Sequence, residues 1–216
     1  MNTQEIQPRV PTRLLLISGM VVGPSYLAVG LAQAGLREGF DLGRHSLSVL
    51  ANGSGGWIQT ANFVLSGLMV IAAAVGIRRA LRPHSRVAGW ILGIYGLAML
   101  AAAVFPADPV DGFPPGTPEG FPETISSAGL IHFAVGGLGF LALAISGLAV
   151  SVAMLRRRQP WVAGWSAFSG LAVIGGFFAP FLLPAAGPVA GIWFSVVIGW
   201  TWLALLSLYL YRANSP

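Results

Sequence analysis

Six apolar segments follow one another along the chain, at residues 13–34, 57–77, 87–105, 129–153, 161–183 and 189–211, with short polar gaps between them. Each runs for about 20 residues or slightly more, which at a helical rise of about 1.5 Å per residue crosses a hydrocarbon core of about 30 Å. A bilayer core offers the backbone no water, so such a segment satisfies its own N–H and C=O groups by coiling into an α-helix. The pattern predicts an all-α, polytopic membrane bundle of six transmembrane helices, forming one domain over residues 1–216.

The few polar and small residues inside the spans carry further information. Gln59, Asn62 and Ser66 stand at i, i+3 and i+7 of the second span, one stripe turned toward other helices rather than lipid. Gly89, Gly93 and Gly96, then Gly136 and Gly139, then Gly191, Ser195 and Gly199 recur at helical spacing and allow close helix approach. Packing within the chain is the first use of these stripes, and the Gly191/Ser195/Gly199 face is also the candidate surface for a homo-oligomer. Pro24 removes a backbone donor midway along the first span and predicts a kink. Leu31-Ala32-Gln33-Ala34-Gly35 has the small-residue pattern of a signal-peptidase site, but the apolar run before it exceeds a signal h-region, so the span is read as retained.

The middle of the chain reads twice. Ser66-Gly67-Leu68, the following arginines, the VAGW run Val87–Trp90, a GLA triplet and the exit at Pro106 are echoed in order by Ser146-Gly147-Leu148, three arginines, Val162–Trp165, GLA and Pro184. Spans two and three are therefore read as a helical hairpin duplicated in spans four and five. The copies differ at their exits, where only the first, FPADP, carries an acid, Asp108.

Charge adds an orientation. Ten of the twelve arginines fall in alternate gaps, at Arg9, Arg13, Arg78, Arg79, Arg82, Arg86, Arg156, Arg157, Arg158 and Arg212, while six of the seven carboxylates fall in the other gaps. Basic short loops are retained in the cytoplasm, which predicts a plasma-membrane protein with both termini cytoplasmic and loops 35–56, 106–128 and 184–188 outside. Trp57 and Trp193 near the outer face, and Trp161, Tyr209 and Tyr211 near the inner one, match the interfacial preference of amphipathic rings. Composition agrees: 55% of residues are hydrophobic, 9% are charged and mean hydropathy is +0.75. The net charge of +5 is spread over loops beside membrane spans rather than gathered into a groove-sized patch, so the expected partner is membrane lipid and not nucleic acid. With no cysteine and no lysine, the chain excludes disulfides, thiolate metal sites, cysteine nucleophiles and a P-loop.

Candidate chemistry gathers on the outer side. Asp41, His45, Ser46 and Ser48 place a carboxylate, an imidazole and two hydroxyls within eight residues, Gln59 and Asn62 open the polar stripe of span two, Asp108 follows span three, and His132 lies one turn into span four. Three readings stand. In one, Asp41 and Asp108 cap turns or helices, the serines serve backbone donors and His132 bonds a carbonyl. In the second, these residues line a pocket for a lipid headgroup or other amphiphile, with Arg37 or Arg44 as anion partners. In the third, His45, His132 and Asp108 or Asp41 bind a divalent metal such as zinc and support hydrolysis of a lipid amide or ester.

These residues carry a resemblance. HSLSVLANGSGGWIQTANFVLSGLMVIAAAVGIRR, AAAVFPADP and LIHFAVGGLGFL together resemble the bacterial and archaeal membrane family known as domain of unknown function 998, over roughly residues 13–211. The resemblance implies a six-helix bundle of no assigned activity and points to His45, Ser48, Trp57, Asn62, Asp108 and His132. The Asn-Gly-Ser-Gly-Gly insert before Trp57, and Val49 where the family often has an acid, depart from its pattern. A more distant likeness to membrane amide hydrolases of the alkaline ceramidase type rests on serine, aspartate and histidine near one membrane face, without a third histidine ligand.

Overall fold

A computed structural model describes residues 10–85, 87–182 and 189–214. Arg9, Arg86, the last residue of the predicted fifth span, the loop 184–188 and the exit Pro184 lie outside the described residues. Six α-helices form: α1 Thr12–Leu36, α2 Gly56–Ala80, α3 Val87–Val104, α4 Ser127–Arg156, α5 Pro160–Leu182 and α6 Ala190–Ala213. All six are long and apolar enough to cross a membrane, which makes this an all-helical, multi-pass membrane protein. The predicted spans coincide with these helices, and α1 runs unbroken past Pro24. There Ser25 Oγ donates to the carbonyls of Val21 and Val22 at 2.9 and 3.0 Å, so this polar side chain is satisfied on its own helix.

Each helix packs on the next in sequence, and α6 returns to pack on α1, closing a ring. Short connections between antiparallel helices favour such neighbours. The centre is filled by aromatic rings: Trp200 of α6 lies 5.4 Å from Tyr26 of α1 and 5.6 Å from Tyr95 of α3. The chain of rings continues from Tyr26 to Phe63 and from Tyr95 through Phe140 to Phe177. One flank of α6 meets α1 where Gly23 leaves room for the Trp200 side chain; a Cβ at Gly23 would stand 2.7 Å from Cβ of Trp200.

The two hairpins cross at equivalent glycines. A Cβ on Gly67 would meet the Gly96 carbonyl at 2.8 Å, and one on Gly96 would meet the Gly67 carbonyl at the same distance. In the second hairpin a Cβ on Gly147 would lie 3.0 Å from the Ser166 carbonyl and 3.3 Å from Cα of Gly170. Lipid chains are as apolar as leucine, so the drive for association is this close van der Waals approach. The Gly191/Ser195/Gly199 stripe is spent the same way. Ser195 is fully buried and donates to the Val173 carbonyl of α5 at 2.9 Å, while a Cβ on Gly199 would press on Leu143 of α4 at 2.6 Å. Ser195 and Gly199 of that face thus make their contacts within the chain.

The arginines are concentrated at one end of the ring. Arg157 after α4 donates to the Ala80 carbonyl at the end of α2 at 2.5 Å, Arg79 donates to the Val10 carbonyl at 2.7 Å, and Arg13 lies 4.1 Å over the Tyr211 ring. At Ala80, the C-terminal residue of α2, the Arg157 guanidinium combines a hydrogen bond to an orphan carbonyl with the favourable end of the helix dipole. The two long loops occupy the opposite end. Gly67→Ala is expected to cost about 1–3 kcal/mol in reversible unfolding, because the added methyl meets backbone that has no rotamer to yield. Gly175→Ala, where nothing stands within 4 Å of the added carbon, is expected to be neutral or slightly stabilising. Equal effects of the two changes would remove the glycine crossing as the reason for close packing.

Candidate functional site

The predicted outer residues fall into three separate sets. The first lies between α1 and α2. Gln59 and Asn62 are buried, and they face α1: Gln33 Nε2 donates to Gln59 Oε1 at 2.9 Å, Gln59 Nε2 reaches the Tyr26 hydroxyl at 3.4 Å, and Asn62 Nδ2 donates to the Tyr26 carbonyl at 3.1 Å. Asn62 Nδ2 also approaches Gln59 Oε1 at 3.3 Å, and Ser66 Oγ approaches Asn62 Oδ1 at 3.5 Å. The stripe does turn toward other helices, but it forms a ladder between two of them rather than the wall of an open pocket.

The second set holds the connection from α3 to α4. Asp108 accepts from the Ser126 backbone N–H at 2.9 Å and from Ser126 Oγ–H at 2.5 Å, and Ser126 Oγ in turn accepts from the Gly129 N–H at 3.0 Å as the N-cap of α4. The carboxylate thus sits at the positive end of α4, and a side chain at Gly129 would overlap it. His132 Nδ1–H donates to the Phe105 carbonyl just past α3 at 2.7 Å. One acid starts α4 while one imidazole closes the end of α3.

The third set locks the two long loops together. His45 is almost fully buried between the rings of Phe40 and Phe113, at 5.2 and 5.7 Å. Its Nδ1 accepts from the Asp41 backbone N–H at 3.0 Å, which leaves the proton on Nε2, directed at the Asp111 carbonyl at 3.0 Å. Asp41 Oδ1 accepts from the Gly43 N–H at 2.6 Å in a local turn, and the Ser46 and Ser48 hydroxyls bond each other at 2.9 Å. Arg44 grips Asp111 through two hydrogen bonds, Nε to Oδ2 at 2.8 Å and Nη2 to Oδ1 at 2.7 Å, and also pairs with Glu119. Arg37 donates to the Leu50 and Asn52 carbonyls at 3.2 and 2.6 Å, and Asn52 Nδ2 crosses to the Ala107 carbonyl at 3.0 Å. Arg37 and Arg44 therefore each turn part of their donor set to the protein.

His45, Asp108 and His132 do not come together as a ligand set. Both His45 nitrogens are committed to backbone groups and both Asp108 oxygens to Ser126. Among the described residues no group of three His, Asp or Glu side chains is placed to hold a metal ion.

An apolar groove opens beside the loop end, between α1 and α6. Leu27 and Leu31 of α1, Trp193 and Val197 of α6 and Leu42 of the first loop line a space of about 340 Å³. Leu42 follows Asp41 and stands two residues before Arg44, so the polar first loop borders an apolar slot.

The sequence model of a family described as "Protein of unknown function (DUF998)" matches residues 20–209. The chain belongs to this family. Comparison with curated proteins and with solved structures gives no match. In this DUF998 protein the residues singled out by the resemblance are distributed over all three sets: His45 and Ser48 in the loop lock, Asn62 in the α1–α2 ladder, Asp108 and His132 at the α3–α4 connection. Trp57 stands apart from them, exposed in the first turn of α2.

Sequence reasoning passed over Phe40, Phe113, Asp111, Glu119 and Gln33. A signal for the acids was present: the second loop carries Asp111 and Glu119 while the first carries Arg44, and opposite charges in two loops at one end can pair. Gln33 is an amide in the last turns of an apolar span, which demands a partner on another helix.

The Asp111 carboxyl is held well below the usual carboxylate range, first by the hydrogen-bonded Arg44 guanidinium and then by the Gly120 N–H. A lowered folded-state value means that this contribution is fully present above the ordinary carboxylate value and is lost as pH falls through the lowered one. Exchange protection of the Gly120 amide should therefore hold from neutral pH down into the ordinary carboxylate range and fail below it. Asp111→Ala, which removes the acceptor, should lose that protection at neutral pH, with only a small effect on global stability because the pair is exposed to solvent. Protection that fades between pH 7 and 5 in the unmodified chain would contradict this assignment.

Proposed function

We propose that this protein binds a lipid or lipid-like amphiphile at its loop end, with the apolar tail in the α1–α6 groove. The observation that carries the reading is the groove itself: an opening of about 340 Å³ walled by Leu27, Leu31, Trp193 and Val197 and bordered by Leu42. An acyl chain fits such a surface because it trades lipid contacts for equivalent protein contacts, so selectivity comes from the headgroup. The headgroup of a bound amphiphile meets the first loop, where Asp41 is exposed and Ser46 and Ser48 are half-buried. His45, Gln59, Asn62, Asp108 and His132 act in this reading as the frame that holds groove and loop in register. The arginine bias supports a plasma-membrane location with both termini cytoplasmic, which puts the groove in the outer leaflet.

The test fills the groove. Leu31→Trp and Val197→Trp should each lower the amount of photoreactive amphiphile cross-linked to the purified chain by about tenfold, as expected when about 1.4 kcal/mol of contact is blocked. Helix content should remain that of the unmodified protein. Undiminished cross-linking in both variants would overturn the reading. The chain has no cysteine, so single cysteines report its orientation: Ser54→Cys should react with an impermeant maleimide on intact cells and Arg158→Cys should not, the reverse placing the groove in the inner leaflet.

A further inference from the structure

At the arginine end, α2 and α3 form a second and smaller groove of about 80 Å³, lined among others by Ile71, Val75, Arg78, Trp90 and Gly93. Arg78 lies in the last turn of α2 and Trp90 in the first turn of α3, so the groove opens at headgroup depth. The Arg78 guanidinium lies over the Trp90 ring, 4.6 Å from its centroid. Stacking uses the flat face of the guanidinium, whereas its N–H donors lie in the plane and point outward from the edge. Among the described residues no carbonyl or carboxylate accepts from that edge. Three arginines at the same end differ: Arg79 donates to the Val10 carbonyl, Arg156 to the His84 carbonyl and Arg157 to the Ala80 carbonyl.

Among the described residues Arg78 meets no carboxylate. Glu38, Asp41, Asp108, Asp111, Glu119 and Glu123 all lie in the loops at the opposite end of the bundle. A positively charged edge beside an apolar slot, at the depth of phosphates, is complementary to one ligand class. We propose that the α2–α3 groove is a binding site for an anionic glycerophospholipid, with its phosphate on the free edge of Arg78 and the start of an acyl chain running over Gly93. This site is independent of the α1–α6 groove and faces the other leaflet.

The experiment is native mass spectrometry of the full chain in detergent, titrated with phosphatidylglycerol and with phosphatidylcholine of the same acyl chains. The unmodified protein should retain phosphatidylglycerol in preference. Arg78→Gln should weaken phosphatidylglycerol binding about fivefold, the share of one juxtamembrane arginine, and leave phosphatidylcholine unchanged. Arg158→Gln makes the same change in net charge on an exposed loop residue and should leave both unchanged. Gly93→Leu, where nothing stands within 4 Å of the added carbon, keeps the charge but fills the slot and should weaken phosphatidylglycerol as well. Equal losses for Arg78→Gln and Arg158→Gln, or no loss in Gly93→Leu, would overturn the site. Displacement of the lipid by equimolar inorganic phosphate would overturn it too, by assigning the edge to the free ion.

Discussion

A polar group placed inside a bilayer is costly unless it finds a partner within the protein, and this constraint organises the α1–α2 contact. Gln33, Tyr26, Gln59, Asn62 and Ser66 answer it by bonding to one another between α1 and α2. Their hydrogen bonds require the two helices to lie side by side in one register. The aromatic chain from Tyr26 through Trp200 to Tyr95 then places α6 and α3 against the same pair. The glycine crossings bring the remaining helices close enough for packing, and the ring closes.

The two ends solve a different problem, that of helix termini whose N–H and C=O groups have no intrahelical partner. At the arginine end long cationic side chains reach backbone carbonyls at or near the helix ends: Arg157 the last carbonyl of α2, Arg79 that of Val10 before α1 and Arg156 that of His84 between α2 and α3. At the loop end short side chains do it locally: Ser126 and Asp108 start α4, and His132 serves the carbonyl just beyond α3. Above them, His45 and the Arg44–Asp111 pair bind one loop to the other. Groups that read as chemistry in one dimension are in this way occupied by architecture in three. What the described helices turn outward is largely apolar surface, with a groove beside the loops and another beside Arg78 and Trp90.

The helices were legible because long apolar runs in a bilayer have only one way to satisfy their backbone. The direction of the Gln59/Asn62/Ser66 stripe was legible too, since polar residues at helical spacing avoid lipid. Its partner was not. Gln33 and Tyr26 precede Gln59 by 26 and 33 residues, and nothing in the spacing says which helix will lie beside α2. The cap and turn roles of Asp41, Asp108 and His132 followed from their positions near helix ends, whereas the burial of His45 depends on Phe113, far away in the second loop. The grooves were hidden for the same reason, because Leu27, Leu42 and Val197 share a wall only after the ring closes.

The central claim is that the buried amides fasten α1 to α2. A double-mutant cycle on Gln33→Leu and Gln59→Leu, read by reversible unfolding in bilayers, measures it directly. A shared hydrogen bond predicts that the two losses are non-additive by about 1 kcal/mol, since either change alone leaves the other amide unpaired. Strictly additive losses would contradict the account.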